Sequence, residues 1–202
     1  MFMKKLFVAA VLSAAAAVGA SAQNSVAVQS GVTSITLSTA LATTLQNLGV
    51  TVGAVSPSVD TNGVVSLPIT GGAFDLNTSK GEIFHTGGLT FTKGSTVINI
   101  TDFLIDTTDD SQAGITTPIV SALVILNGTV VGRLPLFNLG KPAGFQLPLP
   151  LTDKVVLNLS GSALTLNATA AAELNSEFGV STLTGGLSIG TVNTVVVVGN
   201  PL

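Results

Sequence analysis

Most of the chain alternates between apolar and polar residues with a period of two. Stretches such as TVINITDFLID (96–106) are rich in Val, Ile and Thr, and Gly or Asn interrupts the pattern at short intervals. This alternation is typical of β-strands with one buried face, because successive side chains of a strand point to opposite sides. We predict strands over 26–28, 34–37, 63–69, 81–85, 89–92, 96–106, 119–126, 129–135, 154–159, 163–166 and 191–198.

Short turn signals separate several of these strands. Asn127-Gly128 supplies the two positive φ angles of a type I′ hairpin turn. Ser160-Gly161-Ser162 is a second such signal, and both predict that the flanking strands are antiparallel neighbours. The polar segment 106–118 predicts an exposed loop, and the Leu/Pro alternation of 143–152 predicts an edge strand or an extended connection.

Two segments change from the strand period to a helical one. The first has Ser38 as a candidate N-cap, leucines at spacings of four and three, and Gly49 as a stop. The second runs from Asn167 to Gly179, and its apolar face is formed by Ala170, Ala171, Leu174 and Phe178. The predicted fold is therefore mainly β, an antiparallel β-sandwich or barrel-like domain with two short α-helices at about 39–48 and 168–178.

The two helices occur in similar contexts. Segments 34–50 and 162–180 both run strand, polar cap, helix, Gly, Val, and each strand ends in Thr-Leu before the cap. This is either a degenerate internal duplication or the generic requirement of any helix for a cap and a stop.

The first 22 residues have the three parts of a secretory signal peptide. Lys4 and Lys5 precede the apolar run LFVAAVLSAAAAVG, and Ala20-Ser21-Ala22 is a small-x-small cleavage site. We therefore expect residues 1–22 to be removed and residues 23–202 to form a single domain, secreted or held in the periplasm or cell envelope. No later segment reaches about 18 uninterrupted apolar residues, which predicts no transmembrane segment after cleavage.

The charge and the composition exclude several functions. Without Lys4 and Lys5 the chain has five basic residues against ten acidic ones, which predicts that it binds no nucleic acid and no anionic membrane surface. The chain has no Cys, so disulfides, thiol catalysis and Cys-ligated zinc are unavailable to it. Trp and Tyr are also absent, which weakens the case for a sugar-binding site with aromatic platforms.

Few residues are candidates for chemistry. Asp102, Asp106, Asp109 and Asp110 form the densest acidic cluster, and the last three are weak calcium candidates because their spacing matches no calcium loop. By strand parity, Asp102 and Asp106 share one face.

The lone Arg133 either clamps an anion or packs its stem and pairs with one Asp. We predict no catalytic residue and no metal.

His85 is the only histidine, and it lies in GEIFHTGGLTF (81–91). Strand parity places it on the same face as Ile83, so a buried His85 needs only a hydrogen bond to a backbone carbonyl. The structural role is the first interpretation and cofactor binding is the second. A hydrolase that uses His85 with a Ser and an Asp is a third, but no motif supports it.

The segment LPITGGAFDLNTSKGEIFHTGGLTF (67–91), followed by VINITDFLID (97–106), resembles the HtaA-like domain of exported bacterial proteins. VVGRLPLF and AAAELNSEFGV, farther along the chain, are also similar to members of this family. The resemblance implies a β-rich exported domain, and the best-known members take part in haem uptake through a Tyr ligand and a supporting His. This chain has no Tyr, and the family's His would fall near Thr92-Lys93-Gly94, where no His occurs.

We therefore expect an exported, non-catalytic binding or interaction module without a cofactor, with an apolar small ligand or an envelope protein as its partner. The alternative is a haem or porphyrin carrier with His85 as the iron ligand.

Overall fold

The computed structural model describes residues 25–75, 78, 80–108, 118–143 and 155–201. The predicted signal peptide, most of the predicted loop 106–118, Asp109, Asp110 and nearly all of the Leu/Pro segment lie outside these residues. The strands are β1 (Ser25–Leu37), β2 (Thr51–Val55), β3 (Val59–Thr61), β4 (Val64–Asp75), β5 (Gly81–His85), β6 (Gly88–Lys93), β7 (Thr96–Asp106), β8 (Ile119–Leu126), β9 (Thr129–Leu139), β10 (Val155–Leu166) and β11 (Ser188–Pro201), and the helices are α1 (Thr39–Asn47) and α2 (Ala168–Phe178).

The described strands pair antiparallel in one sheet that closes on itself. Its order is β2-β6-β7-β5-β4-β1-β11-β10-β9-β8, with a further pairing of β7 with β8 and of β3 with β4. Strands β7, β5, β4, β1, β11, β10, β9 and β8 thus form a hydrogen-bonded ring, from which β6 and β2 extend along one edge of β7. The predicted mainly β, barrel-like class with two helices is confirmed.

Both helices lie at the same end of this ring. Strands β1 and β10 flank β11 and are both antiparallel to it, so they run in the same direction. Leu37 of β1 pairs with Gly190 and Thr165 of β10 pairs with Ser188, and a helix follows each strand directly. The apolar faces of α1 and α2 pack against the core that fills the ring.

The two helices begin and end in the same way. The side chains of Ser38 and Asn167 accept hydrogen bonds from the first turns of α1 and α2. At the other ends, the amide of Val50 donates to the carbonyl of Leu45 and the amide of Val180 donates to that of Asn175, across glycines with positive φ. These are Schellman motifs, and they satisfy carbonyls that the helix leaves open.

The hairpin at Asn127-Gly128 is confirmed, with φ angles of 49° and 83° and Leu126 paired with Thr129. The predicted turn at Ser160-Gly161-Ser162 is wrong. Residues 155–166 form one strand, and the positive φ of Gly161 produces a shift of its register against β11 instead of a reversal. Similarly, 26–28 and 34–37 belong to one strand, and β2 and β3 were not predicted because they are short and lack a clear alternation.

Candidate functional site

His85 points into the core at the end of β5. Ile83 and His85 are buried and Phe84 between them is exposed, as the alternation of a strand requires. The side chain of His85 is only 4% exposed. A buried imidazole needs partners for both nitrogens, and their identity decides what chemistry the ring can perform.

Both ring nitrogens of His85 have partners within the fold. Nδ1 lies 3.1 Å from the carbonyl oxygen of Phe103, and Nε2 lies 2.7 Å from Oγ1 of Thr33. Because a carbonyl only accepts, Nδ1 carries the proton and donates it, and Nε2 accepts from the Thr33 hydroxyl. Thr33 in turn accepts from the hydroxyl of Thr194, 3.0 Å away.

This environment keeps His85 neutral. Burial lowers the pKa of His85 from 6.5 to about 4, and hydrogen bonds to the backbone of Phe103 and then Ile83 offset only part of that effect. The hydroxyl at Nε2 belongs to the buried Thr33, and its next partner is another threonine. The ring therefore contacts neither the Ser nor the carboxylate that the hydrolase alternative requires, and a substrate has no access to it.

Phe103 lies in a β-bulge of β7. The register of β7 against β8 shifts between Thr101 and Leu104, and Asp102 adopts a left-handed φ of 51°. Strand β7 pairs with β6 up to Thr101 and with β5 from Leu104 onward. The bulge therefore marks the point where the neighbour of β7 changes from β6 to β5. The backbone carbonyls of the bulge lie outside the regular ladder and need other hydrogen-bond donors.

Two side chains provide those partners. His85 donates to the carbonyl of Phe103 from inside the ring, and Arg133 Nη1 donates to the carbonyl of Asp102 from outside, at 2.8 Å. The lone Arg thus contacts the backbone of Asp102 rather than its carboxylate. Simple parity would place Asp102 and Asp106 on the same face as the buried Ile98 and Ile100. The bulge changes the phase, so that Phe103 enters the core and both Asp102 and Asp106 stay outside it.

The acidic cluster forms no metal site among the residues that the structure describes. Asp106 accepts hydrogen bonds from the amide and the hydroxyl of Thr108 at 2.7 Å through the same carboxylate oxygen. Its proposed companions, Asp109 and Asp110, lie outside the described residues, so the calcium hypothesis stays a prediction.

An apolar cleft of about 60 Å³ lies between the two helices and the sheet. Its lining is entirely hydrophobic and includes Leu41 and Leu45 of α1, Leu174 and Phe178 of α2, and Leu89 and Phe91 of β6. His85 is not among the lining residues. The helix periodicities identified these apolar faces, but the sequence alone did not indicate that both faces meet over one space.

The charged side chain of Lys93 borders this cleft. Lys93 is the last residue of β6, and its Nζ donates to the carbonyl oxygen of Phe178 at the end of α2, at 2.9 Å. A cation at the C-terminus of a helix is favourable because the helix dipole is negative there. The contact also ties α2 to β6 beside Phe91 and Phe178, which both line the cleft.

Comparison of the sequence with known protein families and with curated proteins finds no match. Solved structures do match. The C-terminal domain of HtaA from Corynebacterium glutamicum superposes with a TM-score of 0.63 at 14% identity, over 86% of this chain and 99% of that chain. A domain-swapped dimer of a histidine-to-alanine variant of that domain gives a TM-score of 0.52 at 14% identity, over 78% of this chain and 90% of that chain.

The haem-binding protein HtaB from the same organism is a third similar structure, with a TM-score of 0.50 at 11% identity, over 86% of this chain and 96% of that chain. Identities this low show a shared fold and leave the residues of the site free to differ. The ring of antiparallel strands with two helices at one end is an HtaA-like fold.

Proposed function

We propose that this protein is an exported, non-catalytic binding module that takes a flat apolar ligand of the porphyrin class, haem included, into the cleft between α1, α2 and the sheet. The observation that carries the proposal is the wholly hydrophobic lining of that cleft, to which both helices contribute. The shared fold with HtaB, a haem-binding protein, supports a porphyrin over other apolar ligands.

The apolar side chains that line the cleft suit contact with the faces of a porphyrin ring, but none of them can ligate its iron. Haem iron in proteins is held by His, Cys, Met or Tyr. This chain has no Cys and no Tyr, and its two Met are residues 1 and 3. His85 lies away from the lining and has both nitrogens engaged. We therefore propose binding through apolar contacts, without an iron bond from His85.

The cleft must widen to accept a porphyrin. Its volume of about 60 Å³ is well below the roughly 300 Å³ at which typical small-molecule pockets begin. Helices α1 and α2 cover it, and each follows a strand end through a single capping residue. Displacement of the helices enlarges the cleft without disturbing the strand ladder.

The predicted signal peptide supports a place outside the cytoplasm, in the envelope or the medium. In the part of the chain that the structure describes, no helix has the length and apolar character needed to cross a membrane.

Titration of the chain without residues 1–22 tests this function. We expect haemin and metal-free protoporphyrin IX to bind with similar affinity, measured by absorbance and by porphyrin fluorescence. We expect His85→Gln, checked for folding by circular dichroism, to bind both as the wild type does. Failure of both ligands to bind would overturn the proposal. Binding of haemin alone, lost in His85→Gln, would establish instead the alternative in which His85 ligates the iron.

A further inference from the structure

Lys93 stands on the cleft side of β6. Leu89 and Phe91 line the cleft, and Lys93 is the next residue of the same face. Its side chain is half-buried, and its ammonium reaches the carbonyl of Phe178, whose own side chain also lines the cleft. The positive charge is thus placed between β6 and α2, at the border of an otherwise apolar surface.

The ammonium of Lys93 retains capacity for another acceptor. A lysine has three N–H donors, and one is accounted for by the Phe178 carbonyl. Among the described residues, no carboxylate forms an ion pair with Lys93. Glu173 and Glu177 of α2 are exposed. A half-buried cation without a counter-charge is poised to bind an anion.

We propose that the ligand of the cleft is an amphipathic acid, with its apolar body under the helices and a carboxylate on the ammonium of Lys93. This inference rests on the proposed function of the cleft and adds the ligand's polar end to it. The carboxylate replaces or joins the Phe178 carbonyl as an acceptor, which couples ligand binding to the contact that ties α2 to β6.

The test compares two probes with the same ring, protoporphyrin IX and its dimethyl ester, on three proteins lacking residues 1–22. The proteins are the wild type, Lys93→Met, and the control Lys141→Met, which removes a positive charge from an exposed position. We expect Lys93→Met to weaken the diacid by roughly ten- to a hundredfold, the usual loss for a charge-assisted hydrogen bond. The diester should bind the wild type and Lys93→Met equally, and Lys141→Met should bind both probes as the wild type does.

Other outcomes separate this inference from the function on which it rests. Unchanged binding of the diacid by Lys93→Met would overturn the role of Lys93 and leave the cleft function intact. Equal weakening of diacid and diester would also overturn it, since Lys93 would then act only by holding α2 in place. If neither probe binds the wild type, both the inference and the proposed function are wrong.

Discussion

The imidazole Nδ1 of His85 lies 3.1 Å from the carbonyl oxygen of Phe103, where β7 exchanges β6 for β5 as its neighbour. The histidine thus supplies from the core the hydrogen bond that the bulge removes from the ladder. Its other nitrogen is bonded to Thr33 on β1, so one side chain connects three strands of the ring. These hydrogen bonds within the protein account for the burial of His85, and no bound ligand is needed to explain it.

Replacement of His85 should therefore reduce stability strongly. We expect His85→Ala to lower the free energy of unfolding by about 2–4 kcal/mol, because it leaves a cavity, removes the side-chain donor to the buried Phe103 carbonyl and removes the acceptor of the Thr33 hydroxyl. His85→Gln should lose less, since its amide can donate to the Phe103 carbonyl. Urea denaturation measures both. Equal stability of His85→Ala and the wild type would contradict the structural role.

Stability should also depend on pH through this residue. Because burial lowers the pKa of His85 to about 4 from 6.5, the unfolded chain binds the proton first. Stability is then lost as the pH falls from about 6.5 toward 4, by at most about 3 kcal/mol. Carboxylates titrate near the lower end of this window, so the measurement is the difference between wild type and His85→Gln. That difference should change throughout the window from about pH 6.5 to 4, and parallel curves would contradict the prediction.

Replacement of the neighbouring glycines Gly71 and Gly72 by alanine should affect stability very differently. Gly72 has a φ of 140°, and an added Cβ would lie 2.1 Å from the carbonyl oxygen of Glu82 on β5. Gly71 has open space around it and no positive φ. We expect Gly72→Ala to destabilise the β4–β5 pairing severely, by more than about 3 kcal/mol. Gly71→Ala should change stability by less than about 1 kcal/mol. Thermal unfolding of the two variants distinguishes these outcomes.

The parts of the fold that local sequence determines were predictable. Asn127-Gly128 can adopt its turn almost regardless of context, and the caps Ser38 and Asn167 act within their own helices. Gly161 predicts a turn but lies in a register shift of β10, because a glycine with positive φ occurs in bulges as well as in turns. The decision between them depends on β11, which is distant in sequence.

The bulge of β7 is visible in the sequence as a change in the alternation of apolar residues, which a strict period of two does not take into account. The buried positions run Ile98 and Ile100, then Phe103 and Ile105, so the phase of the alternation changes once. The hydrogen-bond partners of His85 left no such signal in the sequence. Thr33 is a generic strand residue 52 positions from the histidine, and Thr194, which bonds to Thr33, lies 161 positions from it. The cleft likewise depends on the pairing of β1 and β10 with the same strand, which composition does not reveal.

A polar substitution in the cleft should weaken ligand binding without unfolding the protein. Leu174 lines the cleft from α2 and is half-buried, whereas its neighbour Glu173 is exposed and does not line the cleft. We expect Leu174→Gln to weaken porphyrin binding about tenfold or more, because an amide then loses water against an apolar ring. Glu173→Gln, which introduces the same side chain one position earlier, should bind as the wild type does. Fluorescence titration with protoporphyrin IX measures both, and circular dichroism confirms that each is folded. Equal affinities of the two variants would place the ligand elsewhere on the protein, since Leu174 lines the cleft and Glu173 does not.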